Sequence, residues 1–345
     1  MASRPSPCLP WLVLASCLLP AWAGAAPEAA GRLPVPALDA RAWLARIHAA
    51  ADSGNYQGTL VFSTGGMVSS SRVSHYSVGD QTYEQIEALD GRQQWVVRHN
   101  DIVQTVWPQS RTAVIEKRET LAAWSTTPQA VEPQALEQYE LRREGEGRVA
   151  GRGAVVFLLE PRDVLRYAQR LWADLVTGLM LRAEVIGQTP GTPRPVLEST
   201  AFSEVVIGVR PQPEAVLQAM QDPRRLEGFR VMRPPQQRTS LEAEGWVLAN
   251  PVPGFKLAGC VRRGMADTAG GDDPVLQAVF SDGLTHVSLF VEDYKPQQQR
   301  SERMAQHGAT ATLMQRRGEH WLTVVGDVPP PTLKLFAAAL ERRRP

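Results

Sequence analysis

LWADLVTGLMLRAEV, Leu171 to Val185, sets two apolar runs on either side of Val176-Thr177-Gly178. Glycine reaches the positive φ that a tight turn between antiparallel strands demands. Leu171, Trp172 and Leu175 supply bulk before the turn. After it, Leu179, Leu181, Ala183 and Val185 alternate with Met180, Arg182 and Glu184, the period-two pattern of a strand with one wet face. The stretch reads as a core hairpin with no chemistry of its own. Similar patterns lie on both sides, which makes it one rung of a large meander.

Working outward, strands follow at Gly153 to Glu160 and at Val196 to Ile207. Further upstream, GNYQGTLVF (Gly54 to Phe62) reads as a strand followed by a flexible tip from Ser63 to Ser71. Arg72 to Val78 and Gln81 to Leu89 make a hairpin around Gly79-Asp80. Trp95 to Arg98 pairs with Val103 to Trp107, and Thr112 to Lys117 adds a strand. Pro128 and Pro133 loosen the pattern between Leu121 and Tyr139. Asp39 can cap a helix running to about Ala51, with Trp43, Leu44, Ile47 and Ala51 on one face. About nine strands and one helix before Gly208 predict a strongly curved antiparallel sheet with a concave face able to hold a ligand.

Composition changes after Gly208. Residues 209–241 carry six Arg against three acids and read as a linker with a short helix at Pro213 to Met220. A second domain follows, with strands at Phe255 to Val261, Val275 to Phe280, Leu284 to Val291, Thr310 to Gln315 and Trp321 to Val325. A closing helix runs from Pro331 to about Leu340. The expected division is 1–23 leader, 24–208 large domain, 209–241 linker and 242–345 small domain.

The leader is an export signal: Arg4, an apolar run from Cys8 to Leu19, and the small-x-small site Ala21-Trp22-Ala23. Leu14-Ala15-Ser16-Cys17 is a rival lipobox that would make Cys17 the lipidated first residue, although the apolar core before it is short. The leader holds one of the 37 basic residues and no acid, so 36 bases face 36 acids after cleavage. That balance provides no overall field for nucleic acid or an anionic surface. Only Cys260 remains of three cysteines, so no internal disulfide can form, and its thiol reads as a small buried hydrophobe.

Catalytic motifs are absent. Six histidines never reach metal-ligand spacing, and neither HExxH nor GxSxG occurs. Gly145-Glu146-Gly147 to Gly151 is one residue too long for a dinucleotide loop, and acidic where phosphate would sit. No cofactor or metal is expected. The aromatics Trp43, Trp95, Trp107, Trp124, Trp172, Phe62 and Phe157 crowd the first domain. Plain core packing accounts for any single one. Phe62, Trp95 and Trp107, on successive strands, are the candidates for lining the concave face and touching acyl chains.

Six stretches fall together in the order and spacing of one family. They are GNYQGTLVF, EALDGRQQWVVR, RLWADLVTGLMLRAEV, VPGFKLAG, FSDGLTHVSLFVE and WLTVVGDVPPPTLKLFAAAL. The chain thereby resembles the MucB/RseB family, periplasmic regulators of an envelope-stress sigma factor, from about Asp39 to Leu340. The resemblance implies an α+β fold: a large LolA/LolB-like unclosed antiparallel β-barrel with helices, plus a smaller C-terminal α/β domain. It also implies a non-enzymatic protein of the periplasm. Its partner is the periplasmic part of a membrane-spanning anti-sigma factor, which it shields from regulated proteolysis, and lipid or lipopolysaccharide fragments release it. Self-association into a homo-oligomer stays open, and contact residues do not transfer. Two rival readings keep the same architecture: a LolA-type carrier of lipid or lipoprotein, and an envelope hydrolase whose triad is assembled from distant residues.

Overall fold

Each apolar alternation in the first two thirds of the chain becomes a strand of one sheet. The computed structural model describes residues 40–117, 131–188, 194–264, 274–298 and 300–343. The leader with both of its processing sites, Trp124, and most of the Gly- and Asp-rich turn at 264–274 lie outside the described residues. Helix α1 (Ala40–Ser53) buries Trp43, Leu44 and Ile47, one stripe at helical spacing. The chain leaves it at Gly54, whose N–H donates to the Ala50 carbonyl.

Strands β1 (Tyr56–Thr64), β2 (Met67–Val78), β3 (Gln81–Ala88), β4 (Trp95–His99), β5 (Ile102–Trp107) and β6 (Thr112–Lys117) form an antiparallel meander. Strands β7 (Tyr139–Val149), β8 (Arg152–Pro161), β9 (Ala168–Asp174), β10 (Met180–Ile186) and β11 (Val196–Ile207) form a second, and β11 pairs with β1. With β12 (Arg230–Met232) added parallel to β6, the sheet runs β12-β6-β5-β4-β3-β2-β1-β11-β10-β9-β8-β7. Its two end strands do not pair, so the barrel is unclosed.

The opening hairpin forms as expected, with Gly178 at φ +83. An added Cβ there would also lie 2.7 Å from Cγ of Arg46, so the glycine makes room for α1 as well as for the turn. The other face of β10 is not open to water. Glu184 is buried between Arg170 and Arg182, and Arg182 lies over the Trp172 ring at 4.6 Å.

Two readings are corrected. The flexible tip expected at Ser63 to Ser71 is strand except for Gly65-Gly66, whose φ values of +54 and +85 make a two-residue turn. The stretch from Tyr139 to Val149, to which the sequence reading assigned no element, is the edge strand β7 with a register shift between Arg143 and Gly145.

Residues 209–241 carry helix α2 (Pro213–Gln221), then β12, then β13 (Gln236–Arg238), which belongs to the second sheet. Val216 and Ala219 of α2 pack on Tyr76, Tyr83 and Val97. Next come β14 (Trp246–Leu248), β15 (Lys256–Arg263), β16 (Val275–Ser281), β17 (His286–Asp293), β18 (Arg303–His307), β19 (Thr310–Arg317) and β20 (His320–Gly326). Helix α3 (Pro330–Ala339) and β21 (Leu340–Arg342) end the described chain. The order in this sheet is β13-β15-β16-β17-β20-β19-β18, while β14 pairs with β21. Leu333, Phe336 and Ala337 of α3 join Leu276, Phe280, Val287, Leu289 and Val324 in one core. Cys260 sits in that core, where burial pushes its thiol up to about 11.

Candidate functional site

Side chains of directly paired residues share a face of a sheet, and successive residues alternate. Register therefore assigns each candidate aromatic to a side. Phe62, Thr200, Ala183, Leu171 and Phe157 are paired in turn across five strands. Trp43 of α1 packs on Phe157, with ring centroids 5.5 Å apart. This helix-bearing side is the inner face, and half-buried Phe62 lies on it.

Following pairs the other way, Leu60 faces Ser71 and Ser71 faces Ala88, while Ile86 faces Val96 and Val96 faces Thr105. Trp107, two residues beyond Thr105, is thus also on the inner face and half buried. Trp95 pairs with Val106 and points the opposite way. It packs with Tyr76, Tyr83 and Val97 against α2. The expectation that all three line the concave side fails for Trp95, because a one-residue difference in strand position inverts the side chain. Phe62 and Trp107 share a face but stand four strands apart, about 19 Å at the usual spacing.

The inner face also carries a charged row that sequence reading missed. His75, Glu84, Arg98, Val103 and Glu116 are paired in turn from β2 to β6. His75 stacks on the Tyr56 ring and places Nδ1 2.7 Å from the Gly54 carbonyl oxygen. Burial, with the Glu84 charge added, holds the Tyr56 hydroxyl well above its ordinary value. Arg98 Nη1 is 4.0 Å from Glu84 Oε2, and its Nε donates to the Asn100 carbonyl at 2.6 Å. Glu116 accepts from Nη2 of Arg263 at 2.6 Å, which ties β6 to β15 of the second sheet. The signal available in sequence was charge on inward-parity positions of neighbouring strands, legible only once register is known.

Two further polar nodes join the sheets. Arg166 is fully buried; its Nε donates to Asp282 Oδ2 at 2.8 Å and its Nη2 to the Pro253 carbonyl at 2.9 Å. It also pairs with Asp163 and lies over the Phe255 ring at 4.9 Å. Tyr139 donates to the same Asp282 oxygen, while Asp282 Oδ1 accepts from the Leu284 and Thr285 N–H groups. Each nitrogen of the guanidinium thus has an acceptor, which is what makes a buried pair tolerable.

At the second node Glu198 Oε1 accepts from the Ala309 N–H at 3.1 Å and from Thr64 Oγ1 at 3.3 Å. Gly308, at φ +60, has no room for a side chain: a Cβ would sit 1.9 Å from Thr64 Oγ1. Burial, then repulsion from Asp327, raises the Glu198 carboxyl above its ordinary value. Among the described residues no group of three or more His, Cys, Asp or Glu is placed to hold a metal ion, and no helix is long and apolar enough to cross a membrane. The arrangement presents a mixed inner face, and two sheets joined by side-chain hydrogen bonds.

Comparison with known proteins places this architecture. Residues 39–220 match the family model of the MucB/RseB N-terminal domain, and residues 240–341 that of the MucB/RseB C-terminal domain. The chain is 30% identical over 315 residues to the sigma factor AlgU regulatory protein MucB of Pseudomonas aeruginosa, covering 88% of this chain and 91% of that one. It is 24% identical over 306 residues to the sigma-E factor regulatory protein RseB of Salmonella typhimurium, covering 88% and 90%. The crystal structure of MucB in complex with MucA(peri) superposes with a TM-score of 0.64 at 28% identity, over 89% of this chain and 100% of that chain.

Proposed function

The chain belongs to the MucB/RseB family, and from that membership we propose that it is a regulator of an envelope-stress sigma factor. In this reading it binds the periplasmic part of a membrane-spanning anti-sigma factor, shields it from the protease that begins its degradation, and lets go when lipid or lipopolysaccharide fragments bind. One observation carries the reading: a relative solved with MucA(peri) aligns along nearly the whole of this chain rather than along one domain. The protein then works in the periplasm after export through residues 1–23, and acts by surfaces rather than by catalysis.

The inner face supports the lipid half of the proposal. Phe62 and Trp107 are the candidate acyl-chain contacts; Trp95 is a support for α2 instead. For lipid to release a client it must prefer the client-free form, since a ligand with equal affinity for two states shifts neither. The junction at Arg166, Asp282 and Glu198 is where two domain arrangements would differ in energy. A pull-down from the native periplasm tests the reading. Retention of one anti-sigma factor supports it, whereas retention of many lipoproteins, or of lipid alone, favours a carrier.

A further inference from the structure

The arginines of residues 209–241 are not spread along a solvated tether. Arg224 and Arg225 sit in the short 3-10 turn Pro223–Leu226, and Arg230 opens β12, the unpaired edge of the large sheet. The Arg230 N–H donates to the Arg111 carbonyl at 2.7 Å, which brings in a fourth arginine from the β5–β6 turn. All four are exposed, Arg224 at 85%. Asp222 pairs with Arg224 and also attracts Arg225 at longer range. Among the described residues none of Arg111, Arg225 and Arg230 has a carboxylate within ion-pair distance. Arg111 stands at φ +45 in this turn, a conformation that arginine seldom adopts, and its backbone is the one Arg230 bonds.

Arg230 pairs with Thr112, and Thr112 with Trp107, so a half-buried tryptophan lies in the same row two strands inward. Exposed arginine at a sheet edge, with a half-buried tryptophan two strands inward, matches the chemistry of an anionic lipid surface, where phosphates meet guanidinium groups and indole sits at headgroup depth. The charge of the whole chain is close to zero, so attraction must come from this local concentration. We propose that the β12 edge, through Arg111, Arg225 and Arg230, docks the protein on an anionic phospholipid bilayer. Docking sets one end of the inner face beside the lipid. The proposal stands apart from client binding, and client affinity in solution is measured in parallel to keep the two distinguishable.

The test is co-sedimentation of the purified, exported protein with vesicles of phosphatidylcholine containing roughly one third phosphatidylglycerol, and with pure phosphatidylcholine. Wild type should bind the anionic vesicles, not the neutral ones, and lose binding as salt rises. Each arginine contributes about five-fold in partitioning, so the triple variant Arg111→Gln, Arg225→Gln, Arg230→Gln should bind about a hundred-fold more weakly. The same three changed to Lys should keep binding, which separates charge from folding. Arg148→Gln, Arg162→Gln, Arg303→Gln, at exposed positions elsewhere, should behave as wild type. The proposal is overturned if wild type ignores anionic vesicles or binds neutral ones equally, if the Gln triple binds undiminished, or if the Lys triple loses binding too. It is also overturned if the Gln triple loses only polyglutamate binding, which would make the edge a site for an acidic polypeptide.

Discussion

At Arg166 a single side chain meets Asp282 and the Pro253 carbonyl beside the second sheet while stacking on Phe255. Arg166→Ala leaves Asp282 buried with one partner fewer, and a fold loss of about 3–5 kcal/mol is expected in chemical denaturation. Glu198 provides a pH-dependent counterpart. Its carboxyl is raised by burial and by Asp327, so ionisation works against the fold. The stability linked to the protonated form is whole below the unfolded carboxyl value of about 4.3 and is lost as pH rises through the higher folded value. Glu198→Gln keeps the acceptor for Ala309 and Thr64 but removes the charge. Its melting temperature should exceed that of wild type at pH 7.5 and converge with it near pH 4; a uniform loss at both would mean that the charge is not the strained feature. Neither residue was legible beforehand. Asp282, Pro253, Thr64 and Ala309 lie 87 to 134 positions away from the side chains they bond, and short-range periodicity says nothing about such pairs.

Elements with one dry face or an apolar run were readable, and elements with neither were not. Strands in both sheets announce themselves by alternation or, as in β8 and β16, which are buried along most of their length, by short apolar runs. β7 does not, because as an edge strand it carries exposed Glu140, Arg142, Arg143, Glu144, Glu146 and Arg148, the charge that keeps edges from pairing further. The Gly65-Gly66 turn was legible in principle, since two positive-φ residues are what a two-residue hairpin selects. Register decided the aromatics. Trp95 packs under α2 and Trp107 faces inward, so their variants should separate. Trp95→Ala removes a half-buried ring from beneath α2 and should cost about 1–3 kcal/mol, less than a fully buried tryptophan. Trp107→Glu should leave the melting temperature close to wild type and weaken lipid-driven release. Release equally strong from Trp107→Glu and from wild type would remove Trp107 from the sensor.

Over the whole molecule, two sheets share polar nodes at Arg166, Glu198 and Glu116, each reaching from the large sheet and its loops to the second. If these nodes have a second arrangement, a ligand that favours it would alter what the other sheet presents. That is how a lipid on the inner face and a client elsewhere can be coupled without touching. A coupling of about 1–3 kcal/mol corresponds to a 5–150-fold change in client affinity. The most direct measurement is calorimetric titration of the purified protein with the periplasmic segment of its anti-sigma factor, with and without a phosphorylated acylated amphiphile. The account predicts saturable one-to-one binding that weakens within that range when amphiphile is present. A client that does not bind, or whose affinity is the same with and without amphiphile, would contradict it.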